Sequence, residues 1–568
     1  MAYSKEKTLS SAARLKYIAL LLFSYALLLT AFGFRLYEDA SIPPWSAFLK
    51  YPENFQRDNL AQQFARLPFS ERTVAGYLYV PLIDRWWLVP VVHAVFSLLL
   101  LAGLHRLSLS LIGSSDWSWV VVWLVLPGLY YQHWGSNELY YPYITPSLLA
   151  KSIGVWVWVG LLQDRMALSA GALLLAAAIH PSVGWQLGIF AAPLSISRPR
   201  WKTALYAVAL FLVLVQTLLI GRGAWPPPES KSLWETVFLE FRMGMHFSPT
   251  YFKPKSHLLF VGLLLLALWI SMRQRHSLRR VFLLYALGLS AYVLNYYTIR
   301  WEPLWYSQLS RSTVWLKPLA LFVIAGYLRA RIPLRLSVSP SMAVFLAGLG
   351  LLIVYRLAKS DTVGVHYLQI LRWAESPPYR LGECARRVLP KEALIAASPS
   401  YEAQAAQFFS MRSAFVRLDA HLRTPDAPAY RSRVKLLYGV DPADGYPAWQ
   451  TLTSNGRAFY DSMVMHHAAL WQAAGITHFI TETPGLSLNY PCLCRADNLA
   501  LWALPTAVAR TGPEHSHIAF RPPAGPEKLP LPDETAPPER LLPAAQTPAH
   551  DKVPEAPPAA PGPSSDRP

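Results

Sequence analysis

Cysteine and charged residues are both scarce in this chain. Three cysteines occur in 568 residues, and Asp, Glu, Lys and Arg together make up 15% of the sequence, against 53% hydrophobic residues. Three cysteines exclude the disulfide framework on which small secreted domains depend. The low charge and the 21 tryptophans exclude an ordinary soluble protein, so the composition indicates a polytopic membrane protein.

Motifs for nucleotide and metal binding are missing as well. The sequence contains no phosphate loop, no dinucleotide-binding fingerprint and no zinc-ligand spacing, and no internal repeat is found. The sequence therefore predicts no metal site.

The net charge of +18 would suggest a nucleic-acid partner if the protein were soluble. Here Lys and Arg cluster in short loops between apolar runs, which is the pattern of the positive-inside rule. We therefore expect a lipid bilayer as partner and no nucleic acid.

Apolar runs long enough to cross a bilayer, about 20 residues each, recur over the first 356 residues. Clear candidates lie near 16–36, 86–106, 201–220, 257–272, 281–298, 313–330 and 340–356. Weaker ones lie near 117–133, 146–163, 166–180 and 182–197. The sequence thus predicts a mostly α-helical protein with about 11 transmembrane helices.

The basic residues predict the orientation. If residues 1–15 are cytoplasmic, alternation of the spans puts every strong basic cluster on the same side of the membrane. The opposite, extracytoplasmic side then receives three outer loops and the C-terminal part of the chain: 37–85, 221–256, 299–312 and 357–568.

The C-terminal part changes character after the last apolar run. Short β-rich runs alternate with helix-like segments, which predicts an extracytoplasmic α/β domain over 357–523. These runs lie at 393–399, 413–418, 477–482 and 499–505. From 524 to 568 the chain is rich in Pro and poor in aromatic residues, so we expect this tail to be disordered.

The three cysteines all lie in the predicted α/β domain. We expect at most one disulfide there, in which Cys384 pairs with Cys492 or Cys494.

Two adjacent carboxylates, Glu38 and Asp39, follow the first apolar run directly in "FGFRLYEDASIPPW" (32–45). A carboxylate at the end of a span, where the dielectric constant falls, can act as a general base on a substrate held at the membrane surface. The alternative is a pair of solvated loop acids. Further along the same loop, residues 58–69 have the spacing of an amphipathic helix that lies on the outer surface or packs on the helical bundle.

Two outer loops carry clustered cations. Residues 239–257 include Arg242 and His246, and residues 298–312 include Arg300 and Arg311. Arg binds phosphate through a bidentate fork, so both loops suit an anionic headgroup. The alternative is that these loops only anchor the protein at the interface.

Two further polar residues lie within apolar runs. Lys151 follows Pro146 by about a turn and a half, and is either a phosphate ligand or a lysine that extends its amine to the interface. His180 precedes Pro181 between two short apolar runs, where a cap or a buried hydrogen-bonding role is the alternative to a functional one.

Together these features resemble the GT-C fold of membrane glycosyltransferases that use polyprenyl-phosphate-linked sugars, and in particular a poorly characterised bacterial group of them. The resemblance covers residues 16–505 and is carried by Glu38, Asp39, His180, Pro181, Arg242, His246, Pro249, Arg311 and Ser312. The middle loop departs from the pattern, because "RMGMHFSP" has one His where two adjacent ones are expected.

The resemblance implies a GT-C-like bundle over 16–356 in a bacterial inner membrane, and a reaction. Asp39 or Glu38 would act as general base on a hydroxyl of a glycan, lipid or protein acceptor, and the lipid phosphate would leave as the anomeric carbon is attacked. Arg242, His246 and Arg311 would surround the donor phosphate. Arg300, Lys151 and His180 are further candidate substrate-binding residues, chosen from the sequence itself. A divalent cation, Mg²⁺ or Mn²⁺, is compatible with this reaction, but the sequence has no ligand set that demands one.

Two other functions fit the same features. A polymerase, ligase or flippase for lipid-linked polysaccharide needs the basic outer loops but no general base. A non-catalytic scaffold would instead depend on the C-terminal domain, since a fold does not determine a function.

Overall fold

The structure is a computed structural model of the chain. It describes residues 10–32, 43–67, 70, 72–126, 134, 138–224, 230–241, 243–247, 254–331, 373–418, 426–482 and 488–505. All structural statements below concern these residues.

The described part of the chain is mostly helical. In the N-terminal region the helices are Ser11–Phe32, Pro43–Lys50, Asn59–Arg66, Thr73–Tyr79, Leu88–Ile112, Ser115–Val125, Pro146–Leu162, Met166–Ile179, Pro181–Ser195 and Arg200–Ala224. They continue with Lys231–Trp234, Gly244–Phe247, Pro254–Arg273, Arg279–Tyr297, Glu302–Tyr306 and Thr313–Arg331, and a π-helical turn covers Glu235–Phe241. Short 3₁₀ turns lie at Pro52–Phe55, Val80–Leu82 and Leu309–Ser312.

Within the described ranges, four helical stretches are long and apolar enough to cross a membrane: Ser11–Leu29, Leu88–Ile112, Arg200–Ile220 and Glu302–Arg331. Shorter apolar helices occupy the positions of four predicted spans: Pro146–Leu162, Met166–Ile179, Pro181–Ser195 and His257–Arg273. The predicted span at 340–356 lies outside the described residues. Membrane-like helices are therefore confirmed, whereas a count of 11 spans is not.

Local sequence signals explain where the central helices begin. The Thr145 hydroxyl accepts a hydrogen bond from the backbone N–H of Leu148 at 2.9 Å, and Pro146 occupies the first turn. Pro181 begins the next helix but one, because its fixed φ suits the first turn and it has no N–H to leave unpaired. Gly184 on that helix lies close to the preceding one, since a Cβ there would be 2.4 Å from the Cα of Ala177.

The C-terminal region contains a five-stranded mixed sheet with helices packed around it. The strands are β1 (Leu394–Ala397), β2 (Ser413–Ala414), β3 (His478–Thr481), β4 (Cys492–Ala496) and β5 (Leu499–Ala503), in the order β2-β1-β3-β5-β4. β1 is parallel to β2 and β3, while β5 is antiparallel to β3 and β4. The helices are Pro377–Val388, Tyr401–Phe409, Ala427–Tyr438, Tyr446–His466 and Ala468–Ala473.

Alternate residues of β1 point to opposite faces of the sheet and join two different hydrophobic clusters. Ile395 and Ala397 of β1 belong to one hydrophobic cluster, with residues of the Pro377–Val388 helix. Leu394 and Ala396 belong to another cluster, around Trp471. The predicted α/β character of this region is confirmed, with helices on both faces of a small sheet.

A disulfide joins Cys384 to Cys494, with 6.1 Å between their Cα atoms. Cys492 is a free, exposed thiol. The sequence left the partner of Cys384 open, and the structure selects Cys494. The bond ties the Pro377–Val388 helix to edge strand β4 across 110 residues of sequence.

The described residues among 43–87, which we call the connecting segment, lie between the first two long apolar helices and pack against the C-terminal sheet region. Arg57 donates hydrogen bonds to the backbone oxygens of Glu392, at 3.3 Å, and Gly475, at 2.7 Å. Trp86 makes edge-to-face contacts with Phe408 and Phe409. These contacts fix the connecting segment against the sheet region.

A buried ion pair forms the centre of this interface. The Asp58 carboxylate accepts a hydrogen bond from Arg417 Nε at 2.9 Å, and both side chains are 1% exposed. Asp58 also accepts hydrogen bonds from the backbone N–H groups of Ala414, at 3.0 Å, and Ala61, at 3.1 Å. Asp58 therefore caps the Asn59–Arg66 helix and binds the C-terminal region with the same carboxylate.

Candidate functional site

Lys151 is fully buried in the first half of the Pro146–Leu162 helix. Its amine donates a hydrogen bond to the backbone oxygen of Glu138 and lies 4.6 Å from the ring centre of Tyr141. The charges of Glu138 and Arg311 both act on this amine. The Lys151 side chain is buried and does not extend to the surface. This favours its interpretation as a phosphate ligand, because burial of a charged side chain costs free energy and occurs mostly at functional sites.

His180 lies in the same place. It is 5% exposed, ends the Met166–Ile179 helix, and forms a hydrogen bond through Nδ1 with the hydroxyl of Ser182 at 3.0 Å. The charges of Arg72, Lys151 and Arg311 act on its imidazole. Four groups from four separate parts of the chain are therefore near enough for their charges to act on one another, and we call Arg72, Lys151, His180 and Arg311 the cation cluster.

Arg311 enters the cation cluster from the 3₁₀ turn Leu309–Ser312, just before a long apolar helix. Its Nη1 donates to the side-chain oxygen of Gln308 at 2.7 Å. Gln308 has a left-handed backbone with φ of 51°, and its carbonyl accepts a hydrogen bond from Gln186 at 2.9 Å. These bonds hold the turn that presents Arg311.

His246 is adjacent to the cation cluster. It lies in the short Gly244–Phe247 helix, and its backbone oxygen accepts a hydrogen bond from the hydroxyl of Ser310 at 3.3 Å. The backbone oxygen of Phe247 accepts another from Tyr292 at 2.9 Å. The two loops that the sequence singled out as basic are thus in contact.

Arg300 is placed differently from the other predicted ligands. It is exposed, has φ of 50°, and its guanidinium lies 5.8 Å from the ring centre of Tyr296. This geometry is typical of an interfacial aromatic contact. The remaining predicted site residues, Glu38, Asp39 and Arg242, lie outside the described residues.

Two members of this region were not predicted from the sequence. Arg72 begins the Thr73–Tyr79 helix, where its backbone N–H donates to Ser70 Oγ at 3.2 Å. Glu138 comes just before the Tyr-rich stretch 140–143 that leads to Lys151, and its charge acts on the Lys151 amine. Glu138 could have been found from the sequence, because it is a charged residue beside a Pro- and Tyr-rich stretch that interrupts the apolar runs.

The connecting segment that carries Arg72 is also tied to the C-terminal region by charge. Arg386 donates to the Asp84 carboxylate at 2.6 Å, and Lys50 lies 3.1 Å from the same group. Burial alone would raise the pKa of Asp84, but the hydrogen bonds from Arg386, Tyr51 and Lys50 lower it below its ordinary value. Asp84 is therefore an ionised anchor and not a proton-transfer group.

Within the described part of the chain, no group of three or more His, Cys, Asp or Glu side chains is placed to hold a metal ion. The cation cluster is itself unsuited to a metal, because it combines ammonium and guanidinium groups with one imidazole. Its chemistry suits an anion with several acceptor oxygens.

Comparison with known protein families finds no family whose pattern matches this sequence. Comparison with curated proteins likewise gives no significant match. The class that the fold itself defines is a mostly α-helical protein with membrane-like helices and a small C-terminal α/β region.

Proposed function

We propose that this protein is a GT-C-type membrane glycosyltransferase that moves a sugar from a polyprenyl-phosphate donor to an acceptor hydroxyl on the extracytoplasmic side of a bacterial inner membrane. The proposal includes the finer topology: about 11 spans, a cytoplasmic N-terminus and an extracytoplasmic C-terminal domain. The supporting observation is the cation cluster, in which Lys151 and His180 are buried within the electrostatic influence of Arg72 and Arg311.

The cation cluster fits the leaving group of this reaction. When the bond between the anomeric carbon and the phosphate oxygen breaks, that oxygen gains negative charge. Lys151 and Arg311 stabilise this charge most strongly where water is excluded, and full burial of Lys151 provides such a setting. The apolar helices that carry them also suit a donor whose tail stays in the lipid.

The acceptor hydroxyl needs a base. Asp39 or Glu38 takes the hydroxyl proton in this proposal as the oxygen attacks the anomeric carbon, and the phosphate departs toward the cation cluster. Glu138 is the alternative base, because it is the carboxylate whose charge acts on the Lys151 amine.

The test is sugar transfer by the purified full-length protein in lipid nanodiscs, with radiolabelled polyprenyl-phosphate sugars and release of lipid phosphate as the readout. We expect Lys151→Met to lower turnover by about 10²–10³-fold, the range for removal of one charge-stabilising group. Arg280→Gln is the matched control. Arg280 is exposed at the start of the Arg279–Tyr297 helix. Tyr292, which donates to the backbone of Phe247 beside His246, lies near the other end of that helix. The control should retain full turnover.

The acids are tested in the same assay. The double change Glu38→Ala and Asp39→Ala should abolish transfer while membrane insertion is intact. If the double variant retains sugar transfer and Glu138→Gln loses it, the role of general base belongs to Glu138. If no polyprenyl-phosphate sugar is turned over and truncation after residue 372 abolishes the cellular role, the protein is a scaffold and the proposal is wrong.

A further inference from the structure

His93 is a buried imidazole that does not belong to the cation cluster. It lies in the first half of the Leu88–Ile112 helix, is 0% exposed, and uses both of its ring nitrogens. Nδ1 forms a hydrogen bond with the Tyr25 hydroxyl at 3.2 Å, and Nε2 forms one with the backbone oxygen of Tyr141 at 2.9 Å. One side chain therefore joins three parts of the chain: the first two long apolar helices and the stretch that leads to Lys151.

The partners of His93 determine where its proton lies. A backbone oxygen only accepts hydrogen bonds, so Nε2 must carry the hydrogen that is donated to Tyr141. A charge on a fully buried ring would be costly, so the ring is neutral and Nδ1 accepts from the Tyr25 hydroxyl. Tyr25 thus holds the imidazole in the tautomer that can donate to Tyr141.

Tyr141 connects His93 to the Lys151 amine. The ring centre of Tyr141 lies 4.6 Å from Lys151 Nζ, which is within the range of a cation–π contact. The same short stretch of chain supplies the Glu138 backbone oxygen that accepts a hydrogen bond from this amine. Two groups that contact the amine therefore belong to residues 138–141, and His93 holds that stretch by its Tyr141 end.

Aromatic packing ties the first helix to the same stretch. The ring centre of His93 is 5.8 Å from that of Tyr140, and the ring centre of Tyr140 is 5.7 Å from that of Phe32. Phe32 is the last residue of the Ser11–Phe32 helix, and the two candidate bases begin six residues later. The helix that precedes these acids and the stretch that contacts the buried amine therefore meet at the His93 imidazole.

We infer that His93 is a positioning residue that fixes the Tyr141 ring against the Lys151 amine and so sets the geometry in which this amine meets the donor phosphate. That the anion is a donor phosphate rests on the proposed function. His93 acts through Tyr141 and not on the substrate.

Two substitutions of His93 separate its hydrogen bonds from its volume. His93→Leu removes the donor to Tyr141 and leaves a buried carbonyl without that partner. His93→Gln keeps a donor, because the amide Nε2 can replace the imidazole Nε2 while Oε1 accepts from Tyr25. His93→Leu should therefore impair phosphate binding, whereas His93→Gln should preserve it.

The test is lipid binding to the full-length protein in nanodiscs, expressed as the ratio of the affinity for polyprenyl phosphate to that for polyprenol of the same length. His93→Leu should lower this ratio by about three- to tenfold, the range for loss of one hydrogen bond. His93→Gln should retain it to within about twofold. A loss of packing alone would weaken the binding of both lipids and leave the ratio unchanged.

Two further variants guard against local misfolding at residue 93. Tyr25→Phe keeps the aromatic ring and removes only the hydroxyl that orients the imidazole, so it should lower the ratio by at least about twofold. Ser24→Ala is the matched control on the same helix. Ser24 accepts a hydrogen bond from Trp123 at 2.8 Å, which anchors the first helix to the Ser115–Val125 helix instead. This control should leave the ratio unchanged.

Nitrogen NMR on protein with isotope-labelled histidine tests the tautomer without any lipid. The His93 resonances, assigned by their loss in His93→Gln, should show a neutral ring with its proton on Nε2. The inference is overturned if the proton lies on Nδ1, if His93→Leu keeps the ratio of the unchanged protein, or if His93→Gln loses as much as His93→Leu. Equal affinity of the unchanged protein for the phosphate and the alcohol would reject the proposed function together with the inference, whereas a preference that survives in His93→Leu rejects the inference alone.

Discussion

The ion pair between Asp58 and Arg417 should control how firmly the connecting segment is held on the C-terminal region. Both side chains are 1% exposed, so removal of one partner leaves a buried charge without its main counter-charge. Such changes cost about 3–5 kcal/mol. In Arg417→Met, Asp58 keeps two backbone N–H donors, so we expect the lower end, about 3 kcal/mol.

Amide hydrogen exchange on the Asn59–Arg66 helix measures this loss directly, because the helix must leave the interface to exchange. At about 1.4 kcal/mol per factor of ten, 3 kcal/mol corresponds to exchange about 150-fold faster. The double variant Asp58→Leu and Arg417→Met removes both charges and should recover much of the protection, apart from the lost helix cap.

A surface pair in the same interface provides the control. Glu53 lies 3.6 Å from Lys391, with side chains 44% and 61% exposed. Glu53→Gln should change the free energy of opening by less than about 1 kcal/mol, or less than about fivefold in exchange rate. Equal effects of Arg417→Met and Glu53→Gln would refute the reasoning, because burial would then make no difference to the pair.

Three further outcomes follow from the C-terminal region and the apolar helices. Burial lowers the pKa of His478 to about 4, so the unfolded chain binds more protons than the folded protein between about pH 4 and 6.5. The free energy of unfolding should therefore fall by up to about 3 kcal/mol as the pH drops through that window, as measured in thermal melts. His478→Gln should make the stability less dependent on pH. Cys384→Ser should lower stability by about 2–5 kcal/mol and remove the mobility shift between reduced and non-reduced gels, while Cys492→Ser should change neither. A Cβ at Gly382 would meet a neighbouring helix at 2.3 Å, so Gly382→Ala should lower the melting temperature, whereas Gly171→Ala, in a helix with open space, should raise it slightly.

Much of the fold could be read from local patterns in the sequence. The apolar run that follows Pro146 predicts the helix Pro146–Leu162, and the four β-rich runs predict β1, β2, β3 and β5. Strand β4 was not predicted, because "CLCRA" alternates little and forms a strand only by pairing with β5 at the sheet edge. Length, hydropathy and turn residues carry local information, and edge pairing is a tertiary effect.

The candidate site was predictable in part. Lys151 and His180 were chosen as polar residues within apolar runs, and Arg311 as one of the cations clustered in the outer loop 298–312. Arg72 was missed because nothing near it marks it, and it joins the others only when the connecting segment packs against the helices. The Asp58–Arg417 pair spans 359 residues of sequence, a separation that no local pattern reports.

The most direct test of the central claim is the affinity of the nanodisc-embedded protein for polyprenyl phosphate compared with the uncharged polyprenol of the same length. A phosphate held by the cation cluster should bind at least tenfold more tightly than the alcohol, and Lys151→Met should remove most of that preference, since a charged hydrogen bond contributes about 1.5–3 kcal/mol. Arg280→Gln should retain it. Equal affinity for the phosphate and the alcohol in the unchanged protein, or an unaltered preference in Lys151→Met, would contradict the account.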